Sequence, residues 1–217
     1  MQKYSEESLA VLAVIGWDIK EAACGVQLCV EQVSGCEAGV HALRGIFNDE
    51  ETEAILIVDT TNAFNSLYRK AALVNIHSLC PPLAVVATNM YRGDASLFID
   101  GETVYSRERT TQGDPLAMSI YGIVFLPLIQ KLQGLYRQLW FADDASAGGK
   151  ITQLKDWWTR MQSLGPLFGN YPNPSKYWLL TRNSILRLPR RSLRIATYAS
   201  HPLVRGTSAQ PWGVTLS

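Results

Sequence analysis

Histidine, cysteine and long apolar runs are scarce in this sequence, and acidic residues stop altogether after Asp156. Three histidines and four cysteines (Cys24, Cys29, Cys36, Cys80) among 217 residues leave little for a disulfide framework. Cys24, Cys29 and Cys36 with His41 lack the close CxxC pair of zinc knuckles and ribbons, so buried reduced thiols are expected. No apolar run reaches the roughly 20 residues of a membrane span. The start, "MQKYSEESLAVLAVIGWDIK", has no long apolar core behind a basic stretch, as a secretory signal would. The chain therefore reads as soluble and intracellular, with nucleus and cytoplasm equally open and no membrane partner.

What is present suits a globular core: 47% hydrophobic and 18% charged residues. The net charge of +1 predicts no partner, but its distribution is uneven. Up to Asp156 twelve Lys and Arg face nineteen Asp and Glu, a net of −7; beyond it come eight basic residues and no acid. Such a segment either tracks phosphates or forms a poorly ordered tail. Residues 182–217, with six arginines and weak apolar periodicity, read as that tail.

Apolar positions recur every three or four residues over 8–47, with breaks near Gly25 and Gly35, so this stretch reads as helical. "AILIVD", Ala54 to Asp59, is a buried strand ending in a carboxylate. "TTNAFNSLYRKAALVNIHSLC", Thr60 to Cys80, is expected to become helical, with Thr61, Asn62 or Asn65 as cap and Pro81-Pro82 as stop. "ASLFIDGETVY" signals a hairpin about Asp100-Gly101. Asp114 suits an N-cap, Pro115 the first helical position, and Pro127 a kink. "LWFADDASAGG" reads as a second hairpin with its aspartates at the tip. Leu154, Trp157, Trp158, Met161 and Leu164 share one helical face, where the tryptophans are core rather than a binding platform. "YWLLT" closes the series as a strand. Strand, helix, hairpin, helix, hairpin, helix, strand suits an α+β antiparallel sheet with helices packed on one face.

In such a sheet the end of the Asp59 strand meets the Asp143-Asp144 turn. Adjacent carboxylates repel each other and are costly to bury unpaired, unless a cation lies opposite. Magnesium takes oxygen ligands and keeps positions open for water and phosphate, and two such ions clamp a phosphoryl displacement. A carboxylate capping a turn beside a solvated one is the bland alternative; the apolar strand, glycine loop and capped helix weigh against it.

These segments, in this order, resemble the reverse transcriptase domain of non-LTR-type retroelements. "LIVDTTNAFNSLYR" is similar to motif A, "TTQGDPLAMSIYGI" to motif B, "WFADDASAGG" to motif C and "LGPLFGNYPNPSKYWLL" to motif D. "GVQLCVEQVSGCEAGVHALR" resembles the fingers-to-palm segment. The four motifs cover about residues 54–180. The resemblance implies a polymerase palm-like sheet with partial helical fingers and no thumb. It divides the chain into fingers and connecting helices (1–53), palm (54–181) and basic tail (182–217).

The resemblance also implies roles. Asp59 and Asp143 would bind two Mg2+ ions (or Mn2+), and Asp144 would complete the site near the primer end. Thr61, Asn62 and Ala63 would meet the triphosphate, partly through amides at a helix start. Phe64 would stand under the sugar and exclude a 2′-hydroxyl; outside the motif it would read as a core aromatic. Gln112 and Gly113 would lie along the incoming nucleotide and template base, where glycine permits close approach. Lys176 would protonate the departing pyrophosphate; an ordinary exposed lysine is the alternative. The partners implied are an RNA template, a DNA primer and deoxynucleoside triphosphates.

Departures from the family pattern shape a rival reading. "LAVIGW" has Ala13 and Trp17 where basic fingers residues are expected, and residues 182–217 show neither a primer-grip turn nor a helical thumb. A truncated element of this kind is expected to extend primers weakly or not at all. The rival is a catalytically inactive retroelement remnant that at most binds nucleic acid. A nucleotide cyclase on a similar sheet is disfavoured, since its glycine-rich signature turn is absent and motif B is present.

Overall fold

The computed structural model describes residues 2–181, apart from Cys24, Glu31, Arg92, Asp94, Asp100, Gly101, 107–109 and 111–113. The order is α1 (Gln2–Ala22), α2 (Gly35–Asn48), β1 (Ala54–Thr60), α3 (Ala63–Ser66), α4 (Arg69–Leu79) and α5 (Pro81–Tyr91). The hairpin β2 (Ala95–Ile99) and β3 (Glu102–Ser106) follows, then α6 (Pro115–Val124) and α7 (Leu126–Lys131). Last come β4 (Arg137–Phe141), β5 (Asp144–Gly149), α8 (Ile151–Leu164), a 3-10 turn (Gly165–Phe168) and β6 (Pro172–Thr181). The fold is α+β, as the sequence pattern indicates. The tail from 182 onward and the Asp100-Gly101 turn lie outside the described residues.

Four strands form an antiparallel sheet in the order β4-β5-β1-β6, and β2-β3 form a separate hairpin. β1 is central because it is apolar on both faces: Ala54, Ile55, Leu56 and Val58 are all buried. Side chains alternate across the ladders. Leu56, Val58, Ala145, Ala147, Trp140, Tyr177 and Leu179 point to one face and are buried. On that face α8 contributes Leu154, Trp157, Trp158 and Met161. The Trp140 and Trp157 indoles both donate to Gln138 Oε1 (3.2 and 3.1 Å), and Gln138 Nε2 donates to the Ile129 carbonyl of α7 (2.8 Å). The tryptophans are core, and their polar atoms are satisfied there.

The opposite face carries Ile57, Asp59, Asp144, Ser146 and Phe141. Its far end is covered by α2: a Cβ at Gly148 would stand 2.3 Å from Ile46 Cγ2, so only glycine lets the helix settle there. Arg137 pairs with Asp49 at the end of α2. The Asp59 end of this face lies beyond that helix.

Two expectations about the helices need correction. The helical stretch after β1 is broken into α3 and α4 by Leu67 and Tyr68, whose backbones are extended. Asn62, Asn65 and Ser66 are poor helix formers, and the break lets Leu67 reach full burial. Pro81-Pro82 ends α4 but also opens α5, since proline suits a first helical turn. Elsewhere the local signals decide. Asp114 caps α6 by accepting the Leu116 amide (2.8 Å), with Pro115 at the start. The helix splits at Phe125 ahead of Pro127. α1 packs on α5 and α6, and α4 on α5 and α6.

Candidate active site

Asp59 is the penultimate residue of β1, and Asp144 the first of β5. Val58–Ala145 is the last pair of their ladder, and Asp59 and Asp144 are the next residue on each strand, so by alternation both carboxylates project from the face opposite Val58. Asp143 occupies the two-residue turn between Phe141 and Asp144, which are paired. On the other side of β1, Lys176 precedes Tyr177, the partner of Val58. Its Nζ lies 3.0 Å from Asp59 Oδ2. Asp144, Asp59 and Lys176 thus form a row across three strands, with Asp143 at the hairpin tip.

Electrostatics here follow from burial and crowding. Burial pushes the Asp144 carboxyl up to about 6, helped by the charges of Asp143 and then Asp59. Asp143 is raised by burial first, with Asp59 adding to it and Lys176 opposing. The hydrogen bond to Asp59, then its charge, raises the Lys176 ammonium and keeps it protonated. An all-oxygen donor set that repels itself fits a hard divalent cation in its chemistry. Among the described residues, however, no three carboxylate, thiol or imidazole groups form a ready-made metal cluster. Lys176 supplies the positive charge that Asp59 meets in this structure.

Asp144→Asn is expected to stabilise the metal-free protein at pH 8 by about 1–2 kcal/mol, after discounting a shift of this size for solvent screening. Asp144 binds its proton more tightly folded than unfolded. Its contribution to stability is therefore fully present below about pH 4 and lost as pH rises through about 6. Urea denaturation of both proteins at pH 8 and pH 4 checks this: the gain belongs to pH 8, and an equal effect at both would refute it.

The remaining candidate residues divide by location. Thr61 gives its amide to the Tyr171 carbonyl (2.8 Å), so that amide is taken rather than left for a phosphate. Asn62 sits at φ 51°, with its Oδ1 accepting from Asn65 Nδ2 (2.7 Å). Ala63 is buried, and the Phe64 ring leans on Tyr121, centroids 4.6 Å apart. Gln112 and Gly113 lie outside the described residues. Their neighbours are anchored: the Thr110 amide donates to the Phe64 carbonyl (3.4 Å), and Asp114 accepts from Ser8 Oγ (3.0 Å).

Several solved structures share this architecture. The chain superposes on apo telomerase from Candida tropicalis with a TM-score of 0.61 at 10% identity, over 81% of this chain and 37% of that one. The likeness is one of fold, at an identity too low to carry more. The same telomerase truncated from its C-terminal domain gives 0.60 at 13% identity, covering 81% and 40%. Telomerase from Candida albicans, in complex with a TWJ fragment of telomeric RNA, gives 0.52 at 11% identity, covering 82% and 35%. The chain thus spans 35–40% of the length of these telomerase chains. No family model matches the chain, and no curated protein matches it in sequence. Among the described residues no helix is long and apolar enough to cross a membrane.

Three buried polar residues that the sequence did not single out hold the Asp143 turn. Gln27 Nε2 donates to the Ala142 carbonyl (3.1 Å), and its Oε1 accepts the Ala142 amide (2.8 Å). Thr60 Oγ1 donates to the Asp143 carbonyl (3.0 Å) and accepts from Asn170 Nδ2 (3.0 Å). Only Thr60 carried a hint, being next to Asp59. A lone glutamine in an apolar segment gives no signal until its partner, 115 residues away, is known. Nearby, the buried Tyr121 hydroxyl finds no partner in bonding geometry among the described residues. Burial, then the charge on Asp143, lifts its pKa well above the ordinary tyrosine value, with Asn170 opposing.

Proposed function

We propose that the chain is the palm of an RNA-directed DNA polymerase of the non-LTR retroelement type. The observation that carries the proposal is the row of Asp144, Asp59 and Lys176 with Asp143 at the hairpin tip, on a reverse-transcriptase-like fold. In the reaction a primer 3′-hydroxyl oxygen attacks the α-phosphorus of a deoxynucleoside triphosphate, its proton passing to solvent. The bond from that phosphorus to the bridging oxygen breaks to release pyrophosphate. Asp59 and Asp143 would hold two Mg2+ ions, or Mn2+, with Asp144 beside them. When bound, the ions supply charge that stabilises the attacking and leaving oxygens.

The chain's own residues have the rest to do. Lys176, the ammonium beside Asp59, protonates the leaving pyrophosphate after releasing that carboxylate. Thr61, Asn62 and Ala63 border the triphosphate, and Phe64, held against Tyr121, borders the sugar. Gln112 and Gly113, outside the described residues, would lie along the incoming nucleotide and template base. The template is RNA and the primer DNA.

A second reading has its own observation. Lys176 already meets Asp59 (3.0 Å), so a carboxylate that would hold a metal is ion-paired. That favours a remnant that binds nucleic acid without copying it. Primer extension on an RNA template with deoxynucleotides separates the two. The first reading expects template-directed addition of at least one nucleotide with Mg2+ or Mn2+, abolished by chelation. A retained gel shift with no addition under either ion would establish the second.

A further inference from the structure

Gln27 has zero exposure and sits between α1 and α2, outside the sheet it serves. Its backbone bridges to Trp140, and the next amide, Leu28 N–H, donates to the Trp140 carbonyl (2.9 Å). The segment thus runs along β4 as a short added edge. From there the side chain reaches past Phe141 to both backbone groups of Ala142. Ala142 is a non-glycine residue at φ 52°, a conformation disfavoured by its Cβ and adopted only where surroundings over-determine it. In a two-residue hairpin this residue sets the direction in which the next one, Asp143, is presented.

The amide itself is held. Gln27 Oε1 also accepts from Cys29 Sγ (3.3 Å). From behind, α6 leaves no slack: a Cβ at Gly122 would stand 2.8 Å from Gln27 Cγ and 2.3 Å from Val30 Cγ2. A glutamine suits this place for a further reason. It satisfies a donor and an acceptor at once while placing no charge beside the half-buried carboxylates.

We propose that Gln27 is a positioning residue for the candidate site: it locks the strained turn at Ala142 and so fixes where Asp143 stands relative to Asp59. The clamp stands on its own geometry. Its consequence for divalent-ion binding rests on the function proposed above.

The test uses Gln27→Met, of equal length but without the amide, and Val30→Ala, a buried change on the same segment that leaves the amide in place. Amide hydrogen exchange at Ala142 and Asp143, read by NMR, reports the clamp without any metal. Protection at Ala142 should fall at least tenfold in Gln27→Met and persist in Val30→Ala. Mn2+ affinity of the whole protein, read by calorimetry, should fall about tenfold or more in Gln27→Met and stay within twofold in Val30→Ala. If Gln27→Met does not fold, Gln27→Asn, too short to span both backbone groups, takes its place with the same expectations. Undiminished protection at Ala142 overturns the clamp. Lost protection with unchanged Mn2+ affinity overturns the positioning role. Lost protection in a protein whose wild type binds no Mn2+ at all leaves the clamp standing and removes the polymerase reading instead.

Discussion

Asp143→Asn should lower Mn2+ affinity by at least about 100-fold and abolish any primer extension. Asparagine keeps the shape and one oxygen donor but removes a full negative charge. At an effective dielectric of about 20, two unit charges 4 Å apart are worth about 4 kcal/mol, and a ligating carboxylate is closer to a doubly charged ion. A loss of about 2.8 kcal/mol, or 100-fold, is therefore a lower bound. The fold should survive, because the turn is held through backbone groups: Thr60 binds the Asp143 carbonyl and Gln27 binds Ala142. Removing a charge whose burial is unfavourable should leave thermal stability equal or higher. Calorimetric Mn2+ titration and melting curves of both proteins check this. Unchanged affinity in a folded variant would sink the assignment of Asp143 as a metal ligand. Extension that persists in both Asp143→Asn and Asp144→Asn would point to a contaminating polymerase.

Trp140→Ala should cost about 3–5 kcal/mol, the range for emptying a fully buried aromatic site. Trp140 has zero exposure, lies across from Ala145, and donates to Gln138. Its small partner cannot fill the void. Against a total stability of about 5–15 kcal/mol for a domain, that loss threatens folding at physiological temperature. Trp178 is the internal contrast. It lies on the opposite face of β6 and is 49% exposed, so Trp178→Ala should cost far less, under about 1 kcal/mol. Urea midpoints for the two variants measure the difference. Similar costs would mean that the faces of the sheet are not divided as described.

How far each feature could be read without the fold depends on the range of the interaction that makes it. The Asp114 cap and the β4–β5 turn were legible because their causes lie within a few residues. Asp114-Pro115 starts α6 through bonds and a fixed dihedral that need no distant partner. The β4–β5 turn is equally local, since apolar runs of strand length flank the two aspartates. β1 was legible as a buried strand from its unbroken apolar composition. The break at Leu67 was not, because the poor helix formers Asn62, Asn65 and Ser66 weaken the helix without placing its end, and burial of Leu67 decides where it falls.

The carboxylates show the same division more sharply. By itself the sequence determined that Asp59 ends a buried strand and that Asp143 and Asp144 sit at a turn, since local pattern fixes both. That Asp59 and Asp144 share one face follows from strand register, which only pairing of residues 54–58 with 145–149 sets. That Lys176 meets Asp59 depends on β6 lying on the other side of β1, a choice among sheet orders that no local signal encodes. The hold on Asp143 is more remote still. Gln27 and Ala142 are 115 residues apart, and a buried amide is tolerable only where both its donor and its acceptor are matched. Tertiary structure alone supplies that match, because hydrogen bonds of this kind are selected by three-dimensional proximity and leave no periodic trace along the chain.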